Sequence, residues 1–192
     1  PNDFTLIKPL LTAIPPKIAF RRESSADVEW RTDKQGVYFR ISFSIRYREN
    51  APNGSLIKRD TLYWVPAPNV KRTEETPGSG VNGYKGIFTI SSESFYRFLV
   101  DNIPAASDRF RAFEGIDITL EGGGAEIERY LETAAANAGI TGAEVVPTFT
   151  NLSEGFGIFT AKNRVIFNKV RVSNETVQDM NKQSPERDLN FQ

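Results

Sequence analysis

The 192-residue sequence contains no cysteine and no histidine. These absences remove thiol nucleophiles, Cys/His zinc sites and every mechanism that needs imidazole as its base. Without disulfides the redox character of the compartment is unreadable in either direction. Net charge is lacking as well, because 24 lysines and arginines balance 24 aspartates and glutamates. A protein whose main partner is nucleic acid carries a basic excess, so no nucleic-acid partner is expected. No run of about 18 apolar residues reads as a membrane-spanning helix. No signal peptide is visible, and the chain opens on Pro1 rather than Met. We read it as a piece of a longer precursor.

What is present is aromatic. Fourteen phenylalanines point to a packed core rather than disorder. Residues 1–24 hold Pro1, Pro9, Pro15 and Pro16 among apolar side chains, which predicts an extended arm from an upstream domain. The apolar "LTAIPPKIAF" predicts that this arm docks on something.

The clearest pattern is "VYFRISFSIRYR". Val37, Phe39, Ile41, Phe43, Ile45 and Tyr47 alternate with polar or outward residues, the period of a half-buried antiparallel strand. "VEWR" before it and "TLYWV" after it read as its neighbours, joined by turn-forming connections that include Asn53-Gly54. Residues 66–83 read as a loop, "YKGIFTI" and "GIDITLE" as strands. "VVPTFTN" and "FGIFTAKNRVIFNKVRV" read as two or three more.

Two helices are expected, near 92–103 and 125–138. The first is capped by Ser91 or Ser92, buries Phe95, Phe98, Leu99 and Ile103, and stops at Pro104. The second carries a stripe of Ile127, Tyr130, Leu131, Ala134 and Ala138, with Glu126 and Glu128 at its positive end. Residues 173–192 turn polar and are expected to fray, with at most a short turn at "TVQDM". These elements predict a mainly β (α+β) chain: an antiparallel β-sandwich over 25–172, Ig/fibronectin-like in style, with two short helical insertions.

Candidate sites are few. "LEGGGAEIERY" places three glycines between strand and helix, yet Ile127 stands where a dinucleotide fingerprint needs glycine. Glu121, Glu126 and Glu128 would repel a phosphate. Asp117 and Glu121 share a strand face but lie ~13 Å apart along it, beyond the separation of paired catalytic carboxylates. Arg40, Arg46 and Arg48 project from the outer face of the long strand, with Lys58 and Arg59 beside them, as a candidate binding surface. Tyr63 and Trp64 on one strand, or Trp30, are candidates for a stacking platform on an exposed face. Asn53, Asn151 and Asn174 begin N-x-[ST] triplets, meaningful only for a eukaryotic secretory source. Nothing nominates a catalytic group, a metal or a cofactor. The "EGFGIF" segment, with Gly155, Phe156, Gly157 and Phe159, reads as a structural turn or bulge in which Phe156 or Phe159 plugs the core.

That segment also carries a resemblance. "ISSESFYRFLVDNI", "IDITLEGGGAEIERYLETAAANAGIT" and "PTFTNLSEGFGIFTAKNRVIF" resemble the end of a group of Bacteroidota outer-membrane lipoproteins of uncharacterised function. In that group an Ig-like domain precedes a β-rich domain ending in a TN-(I/L)-x-x-G-x-G-(I/L)-F signature. Here the signature falls on Thr150, Asn151, Leu152, Gly155, Gly157, Ile158 and Phe159, with Phe156 where a second glycine is usual. "PNDFTLIKP" resembles the junction between the two domains. Asp60-Thr61-Leu62 is similar to the triplet that Bacteroidota use for O-glycosylation of exported proteins, which makes Thr61 the acceptor.

The resemblance implies a lipid anchor on an upstream Cys and a place at the outer membrane, on the cell surface or the periplasmic face. It also implies a non-enzymatic role: binding another protein, as an accessory subunit of an outer-membrane uptake or secretion assembly. The alternative is a glycan-binding module or an accessory of polysaccharide utilisation.

Overall fold

The computed structural model describes residues 5–9, 16–33, 35–72, 84–138, 149–154 and 157–192, with the backbone alone for 134–138. The described residues are mainly β, with two sheets and three helices. The smaller sheet has the order β1-β3-β6, formed by β1 (Thr5–Lys8), β3 (Ser25–Thr32) and β6 (Tyr84–Ser91). The larger has the order β2-β8-β7-β4-β5. It comprises β2 (Lys17–Ile18), β4 (Tyr38–Asn50), β5 (Leu56–Lys71), β7 (Phe110–Gly123) and β8 (Lys162–Val172). All pairings are antiparallel except that of β2 with β8.

The alternation read in "VYFRISFSIRYR" is the physical centre of the molecule. Phe39, Ile41, Phe43, Ile45 and Tyr47 are all buried, while Arg40 and Arg48 are exposed. The inward row meets the smaller sheet directly, where Trp30 packs edge-on against Phe39 at 5.0 Å between ring centroids. The neighbours of β4 are β5 and β7, not the preceding "VEWR" segment. That segment, β3, pairs with β1 and β6 in the other sheet. A turn at Asp33, whose carboxylate accepts from the Gln35 and Gly36 amides, carries the chain from one sheet to the other.

Helix α1 (Ser92–Asn102) follows β6 without a loop. The Ser91 hydroxyl accepts from the Ser94 amide at 3.1 Å and so satisfies one of the orphan donors of the first turn. Phe95, Tyr96 and Leu99 are buried. Phe95 stacks on Phe20 at 3.9 Å, and the Tyr96 hydroxyl donates to the Phe20 carbonyl. Burial pushes the Tyr96 hydroxyl up to a pKa of about 12, so it stays a donor at any ordinary pH.

Three expectations are corrected here. The arm ascribed to residues 1–24 is, among its described residues, part of the fold: β1 and β2 each add an outer strand to a sheet, and Phe20 is fully buried. The tail at 173–192 does not fray. It forms α3 (Asn174–Met180) and a 3-10 turn (Glu186–Leu189), and it buries Met180, Leu189 and Phe191. Of the stripe expected on α2 (Ala125–Ala138), Tyr130 and Leu131 are exposed and Ile127 is half-buried, while the side chains of Ala134 and Ala138 lie outside the described residues. Of the strands expected in the last third, β8 begins only at Lys162, so 157–161 lie outside it, and residues 145–148 of "VVPTFTN" fall outside the described residues. No described helix is long and apolar enough to cross a membrane.

Candidate functional site

The outer face of the larger sheet carries the arginines singled out by the sequence. Arg46 is not free to bind. Its guanidinium grips Asp117 on β7 with two hydrogen bonds, at 2.5 and 2.9 Å, and the same carboxylate accepts from the Lys169 amide. The fork geometry makes this a fixed structural pair. Arg59 is bound to Glu114, and Lys58 to Asp60. Arg40 and Arg48 have no ion pair among the described residues, but the register of β4 separates them by eight positions, ~27 Å along a strand. The five cations therefore form no single site. Asp117 and Glu121 are likewise committed, the second to Lys162 and Arg164.

Adjacent residues of a strand point to opposite faces, and this divides the aromatic pair. Tyr63 is 77% exposed on the outer face. Trp64 points inward, against Phe43, Phe95 and Phe98. Trp30 is completely buried. A common stacking platform is therefore not formed by these three. Thr61 is half-buried, one position from Asp60, whose carboxylate accepts from the Thr61 amide at 2.8 Å.

Of the glycine-rich turn, Gly155 and Phe156 lie outside the described residues. Gly157 has φ +136°, a conformation that L side chains rarely adopt. Phe159 is 80% exposed, so it does not plug the core. What orders this segment is Asn151. Its side-chain amide donates to the Phe159 carbonyl and accepts from the Phe159 amide, both at 2.7 Å, as one rung of a strand pair would. The Asn of the "TN" pair thus closes the loop on the "IF" pair.

Two features that the sequence did not disclose remain. The first is the edge of the larger sheet. β5 runs for 16 residues, and no described strand pairs with its outer side. Four of its apolar side chains are exposed: Leu56, Ile57, Tyr63 and Val65. Its extension through Pro66 and Pro68, expected as loop, fits an edge, where a missing amide breaks no ladder.

The second is a groove of 660 Å³ between β5, β6 and α1. Trp64 and Phe98 lie at its base, stacked at 5.2 Å with an interplanar angle of 18°. Val65 and Pro66 form one side, and Phe88 to Ser91 of β6 another. Glu93, Arg97 and Asp101 of α1 line the third. These three charges are exposed, and none is ion-paired with another described residue. Their i, i+4, i+8 spacing was readable, but the face they occupy depended on where Trp64 would fall. Away from the groove, the guanidinium of Arg72, just after β5, lies 3.7 Å from the centre of the Tyr84 ring at the start of β6.

Among the described residues no acidic cluster is arranged to hold a metal ion. The site offers two outer strands, an aromatic base and exposed charges. It can hold a ligand by contact and hydrogen bonding. No protein-family model matches this chain, and no curated protein matches it.

Proposed function

We propose that this is a non-enzymatic domain that binds another protein, borne by an outer-membrane or cell-surface lipoprotein of the Bacteroidota type that the sequence resembles. The carrying observation is the β5 edge, with four exposed apolar side chains on an outer strand. An open edge presents a row of backbone donors and acceptors, and a partner strand satisfies them. The lipid anchor, the address at the outer membrane and the part played in an uptake or secretion assembly come from the resemblance. The face-to-face packing of the two sheets, an Ig-like sandwich in style, belongs to the same proposal. O-glycosylation at Thr61 agrees with export and rests on the Asp60-Thr61-Leu62 triplet.

Mild detergent extraction from the source membranes tests this reading. The chain is expected to co-purify with an outer-membrane protein, and a Tyr63→Lys, Val65→Lys double variant to lose it. Recovery of the wild-type chain as a lone monomer would overturn the reading. A second reading, glycan binding, is favoured by the Trp64–Phe98 stack, since aromatic faces hold sugar rings. Tryptophan fluorescence titrated with polysaccharides decides it, and an unchanged spectrum removes it.

A further inference from the structure

We propose that the groove between β5, β6 and α1 seats an extended peptide segment of the partner, with alternate side chains running basic, acidic, basic along α1. This deepens the contact reading above and rests on it.

Two edges face this groove. β6 is the outer strand of the smaller sheet and β5 that of the larger, and both line the same space. An extended chain laid beside Phe88–Ser91 continues the β3–β6 ladder, with backbone hydrogen bonds that are indifferent to sequence. β5 is the poorer ladder partner at this point because Pro66 has no amide to offer. It supplies side-chain contact instead.

Selectivity comes from α1. Residues four apart on a helix rise ~6 Å along its axis. Every second residue of an extended strand advances ~6.7 Å, so the two repeats match over three steps. Glu93, Arg97 and Asp101 present the order acidic, basic, acidic at that spacing. An extended ligand whose alternate residues are basic, acidic and basic meets each with its opposite. The intervening residues point the other way, toward Val65 and the Trp64–Phe98 stack, and are apolar. A like-charge arrangement repels at all three positions, so the row discriminates more than it attracts.

Trp64 makes the test direct. The chain has two tryptophans, and Trp30 is wholly buried, so a ligand-induced change in emission reports Trp64. Two blocked hexapeptides serve as probes, Lys-Val-Glu-Val-Lys-Val and its charge reversal Glu-Val-Lys-Val-Glu-Val. The first is expected to shift the emission saturably and to bind at least tenfold more tightly than the second. In a Glu93→Lys, Arg97→Glu, Asp101→Lys variant the preference is expected to reverse, which also shows that the variant is folded. Amide exchange at Phe88–Ser91 is expected to slow on binding. Equal affinity for both peptides, no saturation, or a shift with cellohexaose and neither peptide would overturn the proposal.

The membrane extraction separates it from the wider reading. If the charge-swapped chain still captures the wild-type's partner, the groove assignment falls and the contact reading stands. If the wild-type chain is alone in the extract yet obeys the peptide charge order, the outer-membrane assignment falls and the groove stands.

Discussion

The two flanks of the larger sheet are built in opposite ways. On the β2 flank the segments 16–22 and 173–180 pack against each other beside the sheet. β2 is only two residues long, and the segment after it is covered by α3: the Phe20 amide donates to the Thr176 hydroxyl, and the Arg22 amide to the Asp179 carboxylate. The tail then crosses to β7, where Phe191 stacks on Phe113 at 4.3 Å. Arg111 ties it down by donating to the Leu189 carbonyl, while Glu49 neutralises the guanidinium at 2.8 Å. On the β5 flank a long strand ends the sheet with apolar side chains outward. An edge of this kind is an association hazard unless it is covered or used. The contrast teaches that one flank is a two-residue strand beside a packed tail, while the other is a long outer strand that keeps apolar side chains exposed.

The packed tail should be the fragile part, and Glu49 on β4, the counter-charge of the Arg111 that holds the tail, is where it breaks most easily. Both Glu49 and Arg111 are almost wholly buried. Glu49→Ala leaves the guanidinium without its counter-charge and should cost about 3–5 kcal/mol in urea denaturation. Acid probes the same tail contacts. Burial pushes the Glu49 carboxyl up, but hydrogen bonds from Arg111 and Arg109 hold it below its ordinary 4.5. Hydrogen bonds from Lys182 and the Arg22 amide hold Asp179 below its ordinary 3.8. For both, the unfolded chain takes up protons first as pH falls. Their contribution is therefore complete above pH 4.5 and is lost as pH drops through the folded values. Unfolding free energy should fall with pH in that window, and Glu49→Gln should flatten the slope. An unchanged slope would mean that the pair is solvated.

Asp179→Ala tests the joint between α3 and the N-terminal segment. It strands the Arg22 amide, while the Lys182 ammonium, on an exposed side chain, turns to water. A loss of about 1–3 kcal/mol is expected, the range for an unsatisfied polar group. Replacement without cost would show that the flank is held by Met180 and Phe20 packing alone.

How much of this contrast was legible follows from the range over which each signal acts. The β4 row and the Ser91 cap with its Pro104 stop are local, and the expected 92–103 helix is observed as Ser92–Asn102. The sealing tail was hidden because Met180, Leu189 and Phe191 follow no helix or strand period; only their distant partners reveal them as core. In β7, Gly115 at φ +140° breaks the alternation, so residues 110–114 did not read as strand. β5 was under-read for the opposite reason, since an edge tolerates the charges and prolines that normally announce a loop. Of the candidate site, Trp64 was nominated but on the wrong face, and Glu93, Arg97 and Asp101 were not nominated. The groove is made by segments far apart in sequence.

Gly157→Val should produce a smaller effect, about 1 kcal/mol, the low end of the cost of a strained backbone conformation. Among the described residues a Cβ there would meet the end of Leu152, at an ordinary 3.8 Å, so the backbone strain at φ +136° is the main cost expected. The Asn151–Phe159 rung is expected to open with it, read as faster amide exchange at Phe159. Unchanged thermal stability with an unchanged rung would return this loop to the list of functional candidates.

The smallest stability change should come from the open flank. Tyr63→Ser with Val65→Thr removes two outward side chains, one of them 77% exposed, and touches no core contact. Stability should stay within about 0.5 kcal/mol, as for surface positions generally. Capture of the membrane partner should nevertheless drop, because an exposed apolar row contributes when something lies on it. A large stability loss would show that β5 is already covered within the chain, and the two flanks would then differ only in how they are sealed. Intact stability with undiminished capture would move the contact elsewhere on the molecule. Intact stability with lost capture would leave one explanation for the asymmetry: the chain leaves that edge open for a partner to close.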